Sequence, residues 1–134
     1  MMSELSIPVR CEADLAVALG RLSRELRAQL APEEELVRIQ TALMELARNI
    51  VKYAGRGEVR FGCLAEGRNL HCWIEAEDQG PGITDLNQAM QDHFSSGNSL
   101  GLGLPGVRRL MDRMEVRSTP GQGTWVRVER RFQR

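Results

Sequence analysis

Asp78-Gln79-Gly80-Pro81-Gly82 stops one kind of structure and keeps the next from starting at once. Leu70, Cys72, Ile74 and Ala76 lead up to it with the two-residue period of a strand. Proline removes a backbone donor and the flanking glycines favour a turn, so the strand ends at Asp78. A carboxylate is therefore held at a strand terminus, beside backbone with no side chain to keep a ligand away. Two readings fit this position. Aspartate before Gly and Pro is a common turn former. A carboxylate there also accepts a hydrogen bond from an exocyclic amine such as that of adenine, a charge-assisted bond of about 1.5–3 kcal/mol.

Upstream, two helical periods precede the strands. Leu15, Ala18, Leu19, Leu22, Leu26 and Leu30 predict a helix over 14–30, and Ala31-Pro32 breaks it. Pro32 suits the first turn of a second helix, and Glu33, Glu34 and Glu35 suit its positive end. That helix is expected to reach about Ala54, where Gly55 and Gly57 stop it, with Leu36, Ile39, Leu43, Leu46, Ile50 and Tyr53 as its core stripe. Glu45 and Asn49 sit one turn apart on one face beside that stripe, and Lys52 lies three residues further on. An asparagine carbonyl oxygen suits Mg²⁺ already bound to phosphates, and a glutamate one turn earlier suits proton abstraction. Two polar residues on a solvated face are the alternative, and for Lys52 solvation is as good a reading as phosphate contact.

Residues 5–10 read as a short edge strand limited by Pro8. Val59, Phe61 and Cys63 alternate, Gly67-Arg68-Asn69 turns the chain, and an antiparallel hairpin with 70–76 follows. A third helix is predicted near Pro105, carrying Val107, Leu110 and Met111 inward; strands from Val116 and over 124–132 close the chain around Pro120-Gly121-Gln122-Gly123. The order predicts an α+β fold, a two-layer sandwich with helices on one face of a mixed, largely antiparallel sheet.

Gly101-Leu102-Gly103-Leu104-Pro105-Gly106 matches Gly-x-Gly-x-x-Gly, but the polar run Ser95-Ser96-Gly97-Asn98-Ser99 precedes it where a dinucleotide fold needs a strand. Phosphate capture by free N–H groups at a helix start fits better. The polar run itself is a candidate lid.

The formal net charge is zero over 134 residues, with arginines scattered among acids, so no global field draws nucleic acid or anionic lipid. Cys11, Cys63 and Cys72 are odd in number and lack a Cys-x-x-Cys pair, so they are expected to be reduced and structural. No apolar stretch reaches membrane-spanning length and the N-terminus has no signal core, which predicts a cytoplasmic chain.

Together these motifs resemble those of the GHKL (Bergerat-fold) ATPase/kinase superfamily. Glu45-Leu46-Ala47-Arg48-Asn49 resembles its N box, 78–82 its G1 box, 101–106 its G2 box, and Gly121-Gln122-Gly123-Thr124 its last glycine turn. Within it, Tyr53-Ala54-Gly55 and Leu104-Pro105-Gly106-Val107-Arg108-Arg109-Leu110-Met111-Asp112 are similar to the RsbT type of bacterial serine/threonine switch kinase. The resemblance implies a single ATP-binding kinase domain over 1–134. It implies Glu45 as general base, Asn49 as the Mg²⁺ holder, Asp78 on the adenine amine and Thr124 beside it. It assigns Gly80, Gly82, Gly101, Leu102, Gly103, Leu104 and Gly106 to the pocket. It implies ATP and Mg²⁺ as cofactors and a STAS-domain antagonist as substrate. A PP2C-type phosphatase regulator is the implied partner, with a sigma factor as the alternative; nucleic acid and membrane are not expected. The stretch 92–100 carries no lysine or arginine, and Ser99 stands where a further glycine is expected.

Overall fold

The computed structural model describes residues 2–83, 85, 89–90 and 103–134. The candidate lid, Gly101 and Leu102 lie outside the described residues.

Strand β1 (Met2–Val9) is followed by helices α1 (Glu12–Ala28) and α2 (Glu33–Asn49). A single π-helical turn, Ile50–Ala54, continues α2. Then come β2 (Gly57–Glu66), β3 (Asn69–Asp78), α3 (Leu104–Leu110), β4 (Arg113–Thr119) and β5 (Gly123–Gln133). The strands form one sheet in the order β1-β2-β3-β5-β4, and all four pairings are antiparallel. The expected α+β sandwich is the fold, with no parallel pair among the described strands.

The helices cover one face of the sheet. The α1 stripe (Leu15, Ala18, Leu22, Leu26) and the α2 stripe (Leu36, Ile39, Leu43, Leu46) meet Val59, Phe61, Ile74 and Val128 in one apolar core. Every large side chain among these is at most 2% exposed, so each contributes about 1.5–3 kcal/mol of burial. Arg38 donates to the Leu110 carbonyl (3.1 Å) and fastens α2 to the end of α3.

Among the described residues no helix lies on the other sheet face, which is closed by charge pairing. Arg60 pairs with Glu58, with Glu75 at 3.1 Å and with Glu77 at 3.2 Å. Arg127 reaches Glu75 at 2.7 Å and lies over the Trp73 ring. Burial pushes the Glu75 carboxyl upward, but Arg127 and Arg60 together outweigh it and hold the group below its ordinary value.

Three sequence expectations shift. Tyr53 falls on the α2 stripe at a 3.6-residue period, yet it is 37% exposed. The π turn, closed by the Gly55 N–H on the Ile50 carbonyl (2.8 Å), puts more residues into that turn and rotates Tyr53 off the stripe. Met111 turns inward as expected, but from extended backbone after the helix rather than within it. The last hairpin also starts earlier, with β4 beginning at Arg113 instead of Val116.

Candidate active site

Asp78 ends β3 on the helix-covered side, paired in register with Gly57 on β2 and Thr124 on β5. Its Oδ1 accepts the Gly80 N–H at 2.8 Å. This is the turn contact anticipated for an aspartate before glycine, and it fixes the carboxylate without consuming all its acceptor capacity. The two readings of Asp78 are thus compatible. Burial raises the Asp78 carboxyl above its ordinary value, against the pull of the Gly80 and Thr124 backbone N–H groups.

A cavity opens beside it between α2, β3, β5 and the start of α3. Leu46 and Ile50 line it from the helix, Ala76 and Val126 from the sheet. Pro81, Gly82, Ile83 and Leu104 line it from the two glycine loops. The polar side chains in the lining are Asn49, Tyr53, Asp78 and Thr124. The cavity measures about 140 Å³. An apolar slot with one carboxylate and a threonine hydroxyl beside it suits a heteroaromatic base with a donor on its edge.

Ser118, which the sequence reading did not single out, ties the slot together. Its Oγ accepts the Ile83 N–H (2.7 Å), donates to the Gly123 carbonyl (3.1 Å) and meets the Thr124 hydroxyl at 2.9 Å. With its proton on Gly123, Ser118 takes the Thr124 proton, so the Thr124 oxygen keeps its lone pairs. The Gly121 N–H on the Pro81 carbonyl (2.7 Å) joins the same two loops. A serine before a turn looks ordinary in sequence; only the meeting of loops 35 residues apart reveals its role.

Gly123 is required here by contact as well as conformation, and Gly103 by conformation. Gly123 has φ +113, and a Cβ on it would drive into the Asp78 carbonyl and lie 2.7 Å from the Gln79 Cα. Gly103, the residue before α3, is left-handed at φ +65, and a Cβ there would collide with the Glu45 carboxylate. Gly123→Ala is therefore expected to cost at least about 2 kcal/mol, because strain and backbone overlap coincide. Urea unfolding of the variant checks this, and an unchanged midpoint would show that the turn can move aside.

The remaining predicted positions are placed as follows. Glu45 sits on α2 one turn before Asn49, against Gly103, with Arg48 3.6 Å from its carboxylate. It borders the slot rather than lining it. Gly80 packs on Ala54 at the end of the π turn, where a Cβ would come within 2.6 Å of the Ala54 Cβ. Gly106 lies in α3 away from the slot, and Lys52 is exposed with its Nζ 5.1 Å from the Tyr53 ring centre. Among the described residues no cluster of three or more His, Cys, Asp or Glu side chains could hold a metal alone. Asn49, a neutral oxygen donor at the slot's edge, suits a hard cation that brings its own phosphate ligands.

An antiparallel sheet under two long helices, with a carboxylate-marked slot bordered by glycine turns, defines a nucleotide-binding α+β class. Residues 7–130 match the family described as histidine kinase-like ATPase domain, and the chain belongs to it. The serine/threonine-protein kinase RsbT of Bacillus subtilis (strain 168) is 41% identical over 129 residues, 96% of each chain. That kinship puts the chain among the serine/threonine-protein kinases of the family. An anti-sigma F factor of Pasteuria penetrans is 35% identical over 119 residues, covering 79% of this chain and 75% of its own. The nucleotide-free catalytic domain of the histidine kinase ThkA is 13% identical, with a TM-score of 0.48 over 96% of this chain and 94% of its own. Among the described residues no helix is long and apolar enough to cross a membrane.

Proposed function

We propose that this chain is a cytoplasmic, single-domain, ATP-dependent protein serine/threonine kinase of a bacterial partner-switching pathway. It phosphorylates a STAS-domain antagonist and binds a PP2C-type phosphatase regulator. The observation that carries the reading is the convergence of Asp78 and Thr124 on an apolar slot, with Asn49 at its edge and Glu45 one helical turn away.

In this reading the adenine ring enters the slot between Leu46, Ile50, Ala76 and Val126, and Asp78 accepts its exocyclic amine. Thr124, its proton committed to Ser118, accepts at the ring edge beside it. The triphosphate leaves the slot past Asn49 toward Gly103 and the start of α3. Gly82 and Leu104 border that path, and Gly80 shapes the loop behind it. Asn49 would hold Mg²⁺, which would screen the phosphate charge, and Lys52, exposed beside Tyr53, is the candidate for phosphate contact. Glu45 takes the proton from the substrate serine or threonine hydroxyl as the phosphoryl group transfers.

The raised Asp78 carboxyl gives a pH signature. Its folded form binds a proton more readily than the unfolded chain, so its ionisation costs stability, and that cost disappears as pH falls through the raised value. Adenine needs the ionised acceptor, so nucleotide affinity is expected to fall over the same interval, above the ordinary carboxylate range. Calorimetric titration against pH checks this, with Asp78→Asn expected to show no such step.

The function is tested with labelled ATP, purified STAS-domain proteins and the phosphatase regulator. Transfer of label to a STAS serine or threonine, and capture of the regulator, are the expected results. Because anti-sigma F factors are also relatives, a sigma factor is included in the capture. A sigma factor captured without the regulator would replace the phosphatase partner by sequestration, and ATP binding with no labelled product would reduce the chain to a non-catalytic switch.

A further inference from the structure

Cys63 and Cys72 are paired residue to residue across β2 and β3, both on the helix-covered face and both 2% exposed. Their Sγ atoms are 2.6 Å apart with nothing between them. Neither belongs to the nucleotide slot. We propose that they form an oxidisable dithiol, a modification site whose product is a disulfide joining β2 to β3.

The register supplies the geometry. Directly opposed Cβ atoms in an antiparallel pair lie about 4.5–5.5 Å apart, and a disulfide needs about 3.5–4.5 Å. Closing that gap takes a small inward shift of two neighbouring strands, with no change of side-chain direction. Surroundings set the conditions for reaction. The hydrogen bond with Cys63 and burial both push the Cys72 thiol upward, so in the closed fold this sulfur stays protonated and unreactive. Arg130 sits beside Cys72 in the next strand, and its guanidinium is held by Glu35 at 2.8 Å and Asp112 at 3.0 Å, which closes that flank.

The open flank is the other one. Cys63 is flanked by β1, the edge strand, at the level of Ser3. A strand held by one neighbour only opens at lower free energy than the interior strands, so a hydroperoxide reaches Cys63 first. The Cys63 thiol loses its proton to water and its sulfur attacks a peroxide oxygen. The O–O bond breaks, one oxygen leaves as water, and Cys63 becomes a sulfenic acid. Cys72 sulfur then attacks Cys63 sulfur, the S–O bond breaks, and a second water leaves with the Cys72 proton. Two thiols and one hydroperoxide give one disulfide and water when the peroxide is H₂O₂.

Cys11 is exposed and would form intermolecular products, so the test uses full-length Cys11→Ser protein treated with H₂O₂. Expected are loss of the mass of two hydrogen atoms, a linked Cys63–Cys72 peptide, no thiol alkylated in denaturant and a raised melting temperature, all reversed by dithiothreitol. Nucleotide affinity is expected to be unchanged. Two alkylatable thiols remaining after exposure that fully oxidises Cys11 of the natural chain would overturn the proposal. The order of attack has its own readout: with Cys72→Ser, dimedone is expected to label Cys63, and with Cys63→Ser it is expected to leave Cys72 unlabelled. Label on Cys72 instead would overturn the edge-strand route.

Discussion

Glu45→Gln is expected to bind ATP as the natural chain does and to lose phosphotransfer by about 10²–10⁴-fold, the typical contribution of a positioned general base. The geometry makes this substitution a clean one. Glutamine is nearly isosteric, so the packing of the side chain against left-handed Gly103 is kept. The ion pair lost with Arg48 is a half-exposed pair at 3.6 Å, one turn along the helix, worth only a few tenths of a kcal/mol. Glu45 borders the slot without lining it, so the adenine contacts do not change. Fold and affinity are therefore expected to survive while the rate falls. Single-turnover transfer to a STAS substrate at saturating ATP measures the rate, and calorimetry measures the affinity. Undiminished transfer would remove Glu45 from the base role while leaving the nucleotide site intact.

Asp78→Asn is expected to give the opposite split, with nucleotide affinity about ten- to a hundredfold weaker. The estimate follows from losing a charge-assisted hydrogen bond of about 1.5–3 kcal/mol, at 1.4 kcal/mol per tenfold. The amide keeps one acceptor oxygen, which can still take the Gly80 N–H, so the turn is expected to hold. The carboxylate's second oxygen becomes an NH₂ group facing the amine it formerly accepted, donor against donor. Removing a half-buried ionised group also relieves its desolvation, so the variant is expected to be no less stable than the natural chain at neutral pH. Calorimetry with ATP and thermal melting measure the two effects separately. Unchanged ATP affinity would mean that the base edge is read elsewhere.

Much of the architecture was legible in the chain. The stripes of α1 and α2, the hairpin of β2 and β3, and the glycine turns each follow from a local period or a local breaker, and each appears close to its predicted bounds. Tyr53 was misread because a sequence period assumes a constant number of residues per turn, and the π turn after Asn49 changes that number. Ser118 was not legible because its significance lies in three partners drawn from 83, 123 and 124, and no spacing rule links them. The dithiol was half legible: both cysteines fell on strands, but the pairing that sets them face to face depends on register.

What the amino-acid order settled alone is the inventory: where helices and strands run, where glycine must stand, and which acids and amide are available for chemistry. What only the tertiary structure decided is convergence. Strand order β1-β2-β3-β5-β4 puts the end of β3 beside the start of β5, so Asp78 and Thr124 share one slot although they are far apart along the chain. Side-chain periodicity is a property of neighbours within a few residues, whereas a site depends on which distant segments bury one another's apolar faces. That choice is made by the packing of the core as a whole.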